Sequence, residues 1–157
     1  MLQDVLDPEK CRGLLKEALQ ATRNCEDLYL QKGQGTGAAV LTRSGKIYRA
    51  GHKSRASGNK THAEVLALNI SIEADNKDPI IALALISSNP KAKDMHWYPC
   101  GHCRQEFIDH LLYLRKNGLV DSDYDITIIC GRPDLTYKTH SLKELLPYSW
   151  EPADKGD

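Results

Sequence analysis

The chain has 157 residues, enough for one domain spanning residues 1–157 that buries about two-thirds of its unfolded surface without disulfides or repeats. Its 21 lysines and arginines balance its 21 aspartates and glutamates, so no global positive field draws in nucleic acid or an anionic membrane. No apolar run approaches the ~20 residues of a membrane span, and the stretch MLQDVLDPEK has neither the charged nor the apolar region of a signal peptide, which predicts a cytoplasmic protein.

In chain order, Cys11, Leu14, Leu15, Ala18, Leu19, Thr22 and Cys25 recur at three- and four-residue steps after Pro8, one stripe of an amphipathic helix. After GQGTG, the β-type runs AAVLT and KIYRA flank Ser44-Gly45, a two-residue hairpin signal, so they are expected to pair antiparallel. The polar stretch GHKSRASGNK then leads to a second helix. Its opening, Lys60-Thr61-His62-Ala63-Glu64-Val65, fits the S/T-x-x-E capping box, which would make Glu64 a cap, and equally fits half of a metal site. IIALALIS is a continuous apolar run suited to a strand buried on both faces. A third helix begins near Cys100, carries Phe107, Leu111, Leu112 and Leu114, and ends at Asn117-Gly118; DITIIC is another buried strand. Alternation of this kind predicts an α/β fold with helices on both faces of one mixed sheet.

Five cysteines, an odd number, do not make a disulfide framework in a reducing compartment. Cys11 and Cys25 fall on the apolar stripe and Cys130 ends a buried strand, so packing is their expected role. Cys100 and Cys103 ask for another account. They stand just after Pro99, which predicts both thiols on one face of a helix's first turn. A C-x-x-C has three common meanings: half of a structural zinc site, a thioredoxin-like redox pair, or part of a catalytic zinc site. No second pair is present to close a structural site, and the motif lies deep in the chain where a redox motif would lie early. One C-x-x-C with one histidine gives three ligands and leaves the fourth zinc position open, the arrangement of a catalytic site.

His62-Ala63-Glu64 followed by Pro99-Cys100-x-x-Cys103 is the H-x-E and P-C-x-x-C pattern of zinc deaminases, and the chain resembles the cytidine deaminase family over nearly its whole length. TGAAVLTRSGKIYRAG resembles that family's G-A-A-L/V hairpin, PCGHCRQEF its P-C-G-x-C-R-Q, and LKELLPYSWEP its L-x-E-L-L-P tail. The resemblance implies a three-layer α/β/α sandwich around a mixed five-stranded sheet. It also implies Zn²⁺ held by His62, Cys100 and Cys103, with Glu64 as the catalytic acid and base. Substrate contact falls to Ala63, Gln34, Arg55, Tyr98 and Trp150, and Arg104 and Gln105 brace the thiolates. Many tetrameric members have C-A-E-R where this chain has His62-Ala63-Glu64-Val65. One neutral imidazole and two thiolates balance Zn²⁺, so no arginine is required at Val65.

The substrate pocket is expected to depart from the common pattern. The N-x-E-N stretch that holds ribose hydroxyls has no counterpart in register within GHKSRASGNK, and Gln34 stands near the place of the usual aromatic. Loop length from Gly51 to Glu64 and the Trp150-Glu151 tail resemble the blasticidin-S deaminase branch. Lys53, Arg55 and Lys60 suit a carboxylate or phosphate on the substrate. The expected reaction is hydrolytic deamination of a cytosine-type nucleoside or analogue, blasticidin-S-like or acid-bearing. The alternatives are an ordinary cytidine or deoxycytidine deaminase and a deaminase-fold binding protein whose zinc is structural. The resemblance further implies a homotetramer with Tyr148 and Trp150 near an active site, and no nucleic-acid or membrane partner.

Overall fold

The computed structural model describes residues 6–152; the ends of the chain, including the first residues of MLQDVLDPEK, lie outside the described residues. In chain order the elements are α1 (Pro8–Ala21), β1 (Glu26–Asp27), β2 (Thr36–Thr42), β3 (Ile47–Gly51), β4 (Lys53–Ser54), β5 (Lys60–Thr61) and α2 (Ala63–Ala74). They continue with β6 (Ile80–Ser87), α3 (Gly101–Lys116), β7 (Thr127–Gly131), β8 (Tyr137–Ser141) and α4 (Leu142–Leu145).

Five strands form a mixed sheet in the order β3-β2-β6-β7-β8, parallel between β6 and β7 and antiparallel elsewhere. Helices cover both faces, as the pattern predicts. Alternation along the strands sorts the core in two: Ala39, Ala82, Ala84, Ile86 and Ile129 meet Leu14, Leu15 and Ala18 of α1. Ala38, Val40, Leu83, Leu85 and Ile128 meet Ala67 and Leu68 of α2 and Phe107 and Leu111 of α3. Both faces being covered is the reason that IIALALIS reads as an unbroken apolar run rather than an alternating one.

The β2–β3 turn is one residue longer than the two-residue signal suggests. Thr42 N–H donates to the Lys46 carbonyl and Gly45 N–H to the Thr42 carbonyl, both at 2.9 Å. Gly45 takes φ +93°, the left-handed residue that closes a three-residue loop. A small second sheet, β1-β4-β5, was not foreseen. In it β1 runs parallel to β4, pairing Glu26 with Lys53 and Asp27 with Ser54, and β4 returns antiparallel as β5. This sheet converts the polar stretch GHKSRASGNK into one wall of a cavity.

Topology sets where the two helix N-termini lie. The chain leaves α2 and enters β6 at Ile80, then leaves β6 at Ser87 on its way to α3. Both helices therefore present their N-termini near the Ser87 end of β6, and the loops there carry His62 and Cys100.

Close approach of α1 to the sheet depends on Gly37, where an added Cβ would lie 2.0 Å from the Ala18 carbonyl oxygen. Gly37→Ala is expected to destabilise the fold by about 1–3 kcal/mol, since the obstacle is helix backbone. Gly13, in the interior of α1 with nothing near its Cβ position, is expected to give the opposite sign. Gly13→Ala stabilises by about 0.5–1 kcal/mol through the helix preference of alanine. Urea denaturation of the two variants beside the parent checks both signs.

Candidate metal centre and cavity

His62 is the N-cap of α2, and no side chain caps that helix end. Of the two readings of this segment the capping box is not formed: Thr61 pairs in β5, and Glu64 turns inward with 4 % of its surface exposed. The physical reason is that His62, not Thr61, holds the extended cap conformation, which shifts the helix start by one residue. Cys100 is the N-cap of α3, its sulfur accepting from the Cys103 N–H at 3.4 Å. Cys103 follows within the first turn and is fully buried. Two N-caps and one first-turn residue thus meet at the positive ends of two helices, where anionic sulfur is stabilised.

His62 Nδ1 lies 3.2 Å from Cys103 Sγ and 3.3 Å from Cys100 Sγ, and the two sulfurs are 3.4 Å apart. A tetrahedral zinc ion, with bonds near 2.3 Å to sulfur and 2.0–2.1 Å to nitrogen, separates such atoms by roughly 3.6–3.8 Å. The three ligand atoms fit that geometry after shifts of a few tenths of an ångström. The local electrostatics agree. Burial, with Glu64 and Cys100 adding to it, pushes the Cys103 thiol far above its ordinary range, and a bound cation would favour its thiolate. Glu64 Oε2 accepts from Cys103 Sγ at 3.7 Å, and burial raises the Glu64 pKa.

These residues open on a cavity of about 260 Å³ lined by Asp27, Thr36, His52, Lys53, Ser54, Lys60, Thr61, His62, Ala63, Glu64, Trp97, Tyr98 and Cys100. Ala63 and Tyr98, two of the residues assigned to substrate contact, line this cavity. Tyr98 shares a 3.0 Å hydrogen bond with His140 Nε2.

Other expectations meet a different arrangement. The Arg55 guanidinium pairs with Glu26 at 2.7 Å and lines a separate groove beside Cys25 and Leu28. Gln34 sits in the loop before β2, accepting weakly from the Gln31 N–H at 3.4 Å, outside the cavity lining. Arg104 donates to the Pro99 and Leu145 carbonyls, each at 2.7 Å, so it ties the α3 entry to α4 rather than bracing a thiolate. Gln105 clasps the tail, its amide donating to the Trp150 carbonyl at 2.7 Å while its oxygen accepts from the Trp150 N–H at 3.0 Å. The Trp150 side chain is 69 % exposed and Tyr148 97 %, and neither lines the cavity of its own chain.

Asp27, Thr36, His52 and Trp97 are cavity residues that the sequence reading did not single out. His52 had a usable signal, because it follows the hairpin at the sheet end that faces the H-x-E helix. Asp27 had none, since a two-residue strand leaves no periodicity to read.

No described protein family and no curated protein sequence matches the chain. Among solved structures, cytidine deaminase from Burkholderia pseudomallei superposes with a TM-score of 0.66 at 21 % identity, over 88 % of this chain and 97 % of that one. Cytidine deaminase from Mycobacterium tuberculosis gives 0.63 at 21 %, over 94 % and 100 %. The enzyme from Mycobacterium leprae gives 0.61 at 21 %, over 86 % and 95 %. The fold is thus the cytidine deaminase fold.

The raised Glu64 pKa has a signed consequence for stability. A carboxyl whose folded pKa lies above its unfolded value holds its proton more tightly when folded, so stability falls as pH rises from the unfolded pKa through the folded one. In metal-free protein, Glu64→Gln removes that loss. The variant is expected to be more stable than the parent at neutral pH, with the difference shrinking towards pH 4, as read by denaturant titration in chelator.

Proposed function

We propose that this chain is a zinc-dependent hydrolytic deaminase acting on the exocyclic amine of a cytosine-type nucleoside. The observation that carries the reading is the gathering of three metal-ligand atoms within 4.8 Å of one another, beside a buried carboxylate, on one cavity. His62, Cys100 and Cys103 would hold the ion. When bound, zinc supplies Lewis acidity and brings the pKa of a coordinated water towards neutrality.

Glu64 then does the proton work. Its buried setting raises its pKa, the direction that suits a carboxyl which must both accept and return a proton. It takes one proton from the attacking water and passes it to the ring nitrogen, then takes the second from the hydroxyl now on the carbon and passes it to the departing amine. A carbon–oxygen bond forms, the carbon–nitrogen bond breaks, and carbonyl and ammonia are the products. The Ala63 backbone, fully buried at the first turn of α2, lies where it could contact the base. Trp97 and Tyr98 supply flat walls against which a planar ring packs. Trp97 is fixed by donating its indole N–H to Thr36 Oγ1 at 2.9 Å.

A blasticidin-S-like or acid-bearing substrate is supported by Lys60, which lines the cavity. The other two basic residues of that loop are engaged elsewhere: Arg55 pairs with Glu26, and Lys53 Nζ donates to the Asn24 and Gly51 carbonyls. The cationic support is thus one residue where the sequence offered three, and ordinary cytidine or deoxycytidine is the second reading.

A homotetramer is part of the proposal. In its support, Ile70 of α2 is left exposed along with Tyr148 and Trp150 of the tail, and a second copy would cover them. Light scattering at micromolar concentration is expected to give four times the chain mass; a stable monomer contradicts this.

Ammonia release from cytidine, deoxycytidine, CMP, blasticidin S and cytosine tests the reaction. Glu64→Gln is expected to keep one zinc per chain and to lose roughly 10²–10⁴-fold in kcat, while Cys103→Ala loses zinc and turnover together. A protein that holds zinc, deaminates none of these and binds a partner equally well with Glu64→Gln is the structural-zinc scaffold instead.

A further inference from the structure

We propose that Asp27 is a specificity-determining residue of the cavity: its carboxylate, oriented by His52, accepts a hydrogen bond from a hydroxyl group on the substrate's sugar side. The inference rests on the deamination reading for the identity of the substrate's other end.

The hydrogen bonding is directional. The Thr36 backbone N–H, which can only donate, points at His52 Nδ1 at 2.9 Å. Nδ1 is therefore the unprotonated nitrogen, and the imidazole's one proton sits on Nε2. Nε2 lies 2.9 Å from Asp27 Oδ2 and donates to it. The second oxygen, Oδ1, accepts from the Tyr29 N–H at 2.8 Å. Gly35 makes the arrangement possible, because a Cβ there would lie 2.0 Å from the His52 ring. Asp27 is thus a pinned carboxylate on the cavity, and the His52 hydrogen bond holds its pKa below the usual range.

Two donors satisfy about half of what an ionised carboxylate can accept. The remaining acceptor capacity is on a cavity wall. Beside it in β4, Ser54 is 6 % exposed and lines the same cavity, yet its hydroxyl has no hydrogen-bond partner among the described residues. Lys60 lines the cavity too and acts electrostatically on Asp27. Together they ask for a ligand group that donates to a carboxylate and accepts from a hydroxyl or ammonium. A sugar hydroxyl does both. A phosphate or carboxylate suits Lys60 but is repelled by Asp27, so an acid on the substrate would lie towards Lys60 with a hydroxyl towards Asp27; a bare alkyl group there would leave Asp27 and Ser54 unpaired, which sites of this kind reject strongly.

The test compares cytidine with 2′,3′-dideoxycytidine as substrates of the zinc-loaded protein, and uridine with 2′,3′-dideoxyuridine as ligands by calorimetry. Parent protein is expected to favour the hydroxylated compound in kcat/KM by at least about 100-fold. Asp27→Asn and Asp27→Ala are expected to bring that ratio within about tenfold, chiefly through KM, with the zinc content unchanged. If the parent uses both substrates equally, or either folded variant keeps the parent ratio, Asp27 serves only to anchor β1 and the proposal is wrong while deamination stands. If no pyrimidine nucleoside is deaminated, the deamination reading fails and calorimetry decides alone. A preference for uridine that disappears in Asp27→Asn then supports the Asp27 contact, and an absent preference or absent binding overturns it.

Discussion

Everything at this site depends on two helix N-termini being brought to one end of one strand. Each of α2 and α3 is joined to β6, one entering at Ile80 and the other leaving after Ser87, so both dipoles point their positive ends at the same small volume. That volume collects Cys100, Cys103 and Glu64, three groups whose ionised forms repel one another in a dry environment. Burial raises the pKa of both Cys103 and Glu64, and the neighbouring Glu64 and Cys100 add to the rise at Cys103. A divalent cation relieves the repulsion, whereas a chain with apolar residues at these positions would need neither the ion nor the dipoles.

The large sheet serves mainly to hold those two helices in place. Val40, Leu83, Leu85 and Ile128 present one face to α2 and α3, and Glu64 of α2 is buried beside that core. The zero net charge of the chain is no guide to this local picture, because the relevant charges are few, buried and close together. Electrostatic character at a site is set by arrangement rather than by totals.

What was legible in the sequence divides along the same line. Periodicity in IIALALIS, DITIIC and the Cys11-to-Thr22 stripe depends on burial against neighbours, and that is a property each segment carries itself. The H-x-E and P-C-x-x-C spacings were legible because each half lies within one helical turn. Hidden were contacts made between segments too short to have a pattern: β1 with β4, His52 with Asp27, Gln105 with the tail backbone. The Thr61 capping box, the competing reading of the same residues, is not formed. The local pattern S/T-x-x-E is present, yet His62 takes the cap position and Glu64 turns into the cavity, so the roughly 1 kcal/mol that a side-chain cap contributes is forgone. Arg104 and Gln105 matched a family motif, but they hydrogen-bond to carbonyls and tail backbone rather than to sulfur.

The small β1-β4-β5 sheet separates two parts of the molecule that could have been one. Its strands are two residues long, and of their residues Ser54 alone is buried. The hairpin loop at Ala56-Ser57-Gly58 is exposed and closed by Gly58 in the left-handed conformation. Mutations in this segment therefore reach the cavity wall without passing through the packing of the five-stranded sheet. A lineage carrying this fold can drift in what it recognises while its reactive end and its core stay under separate selection, and relatives would be expected to diverge first between positions 52 and 61.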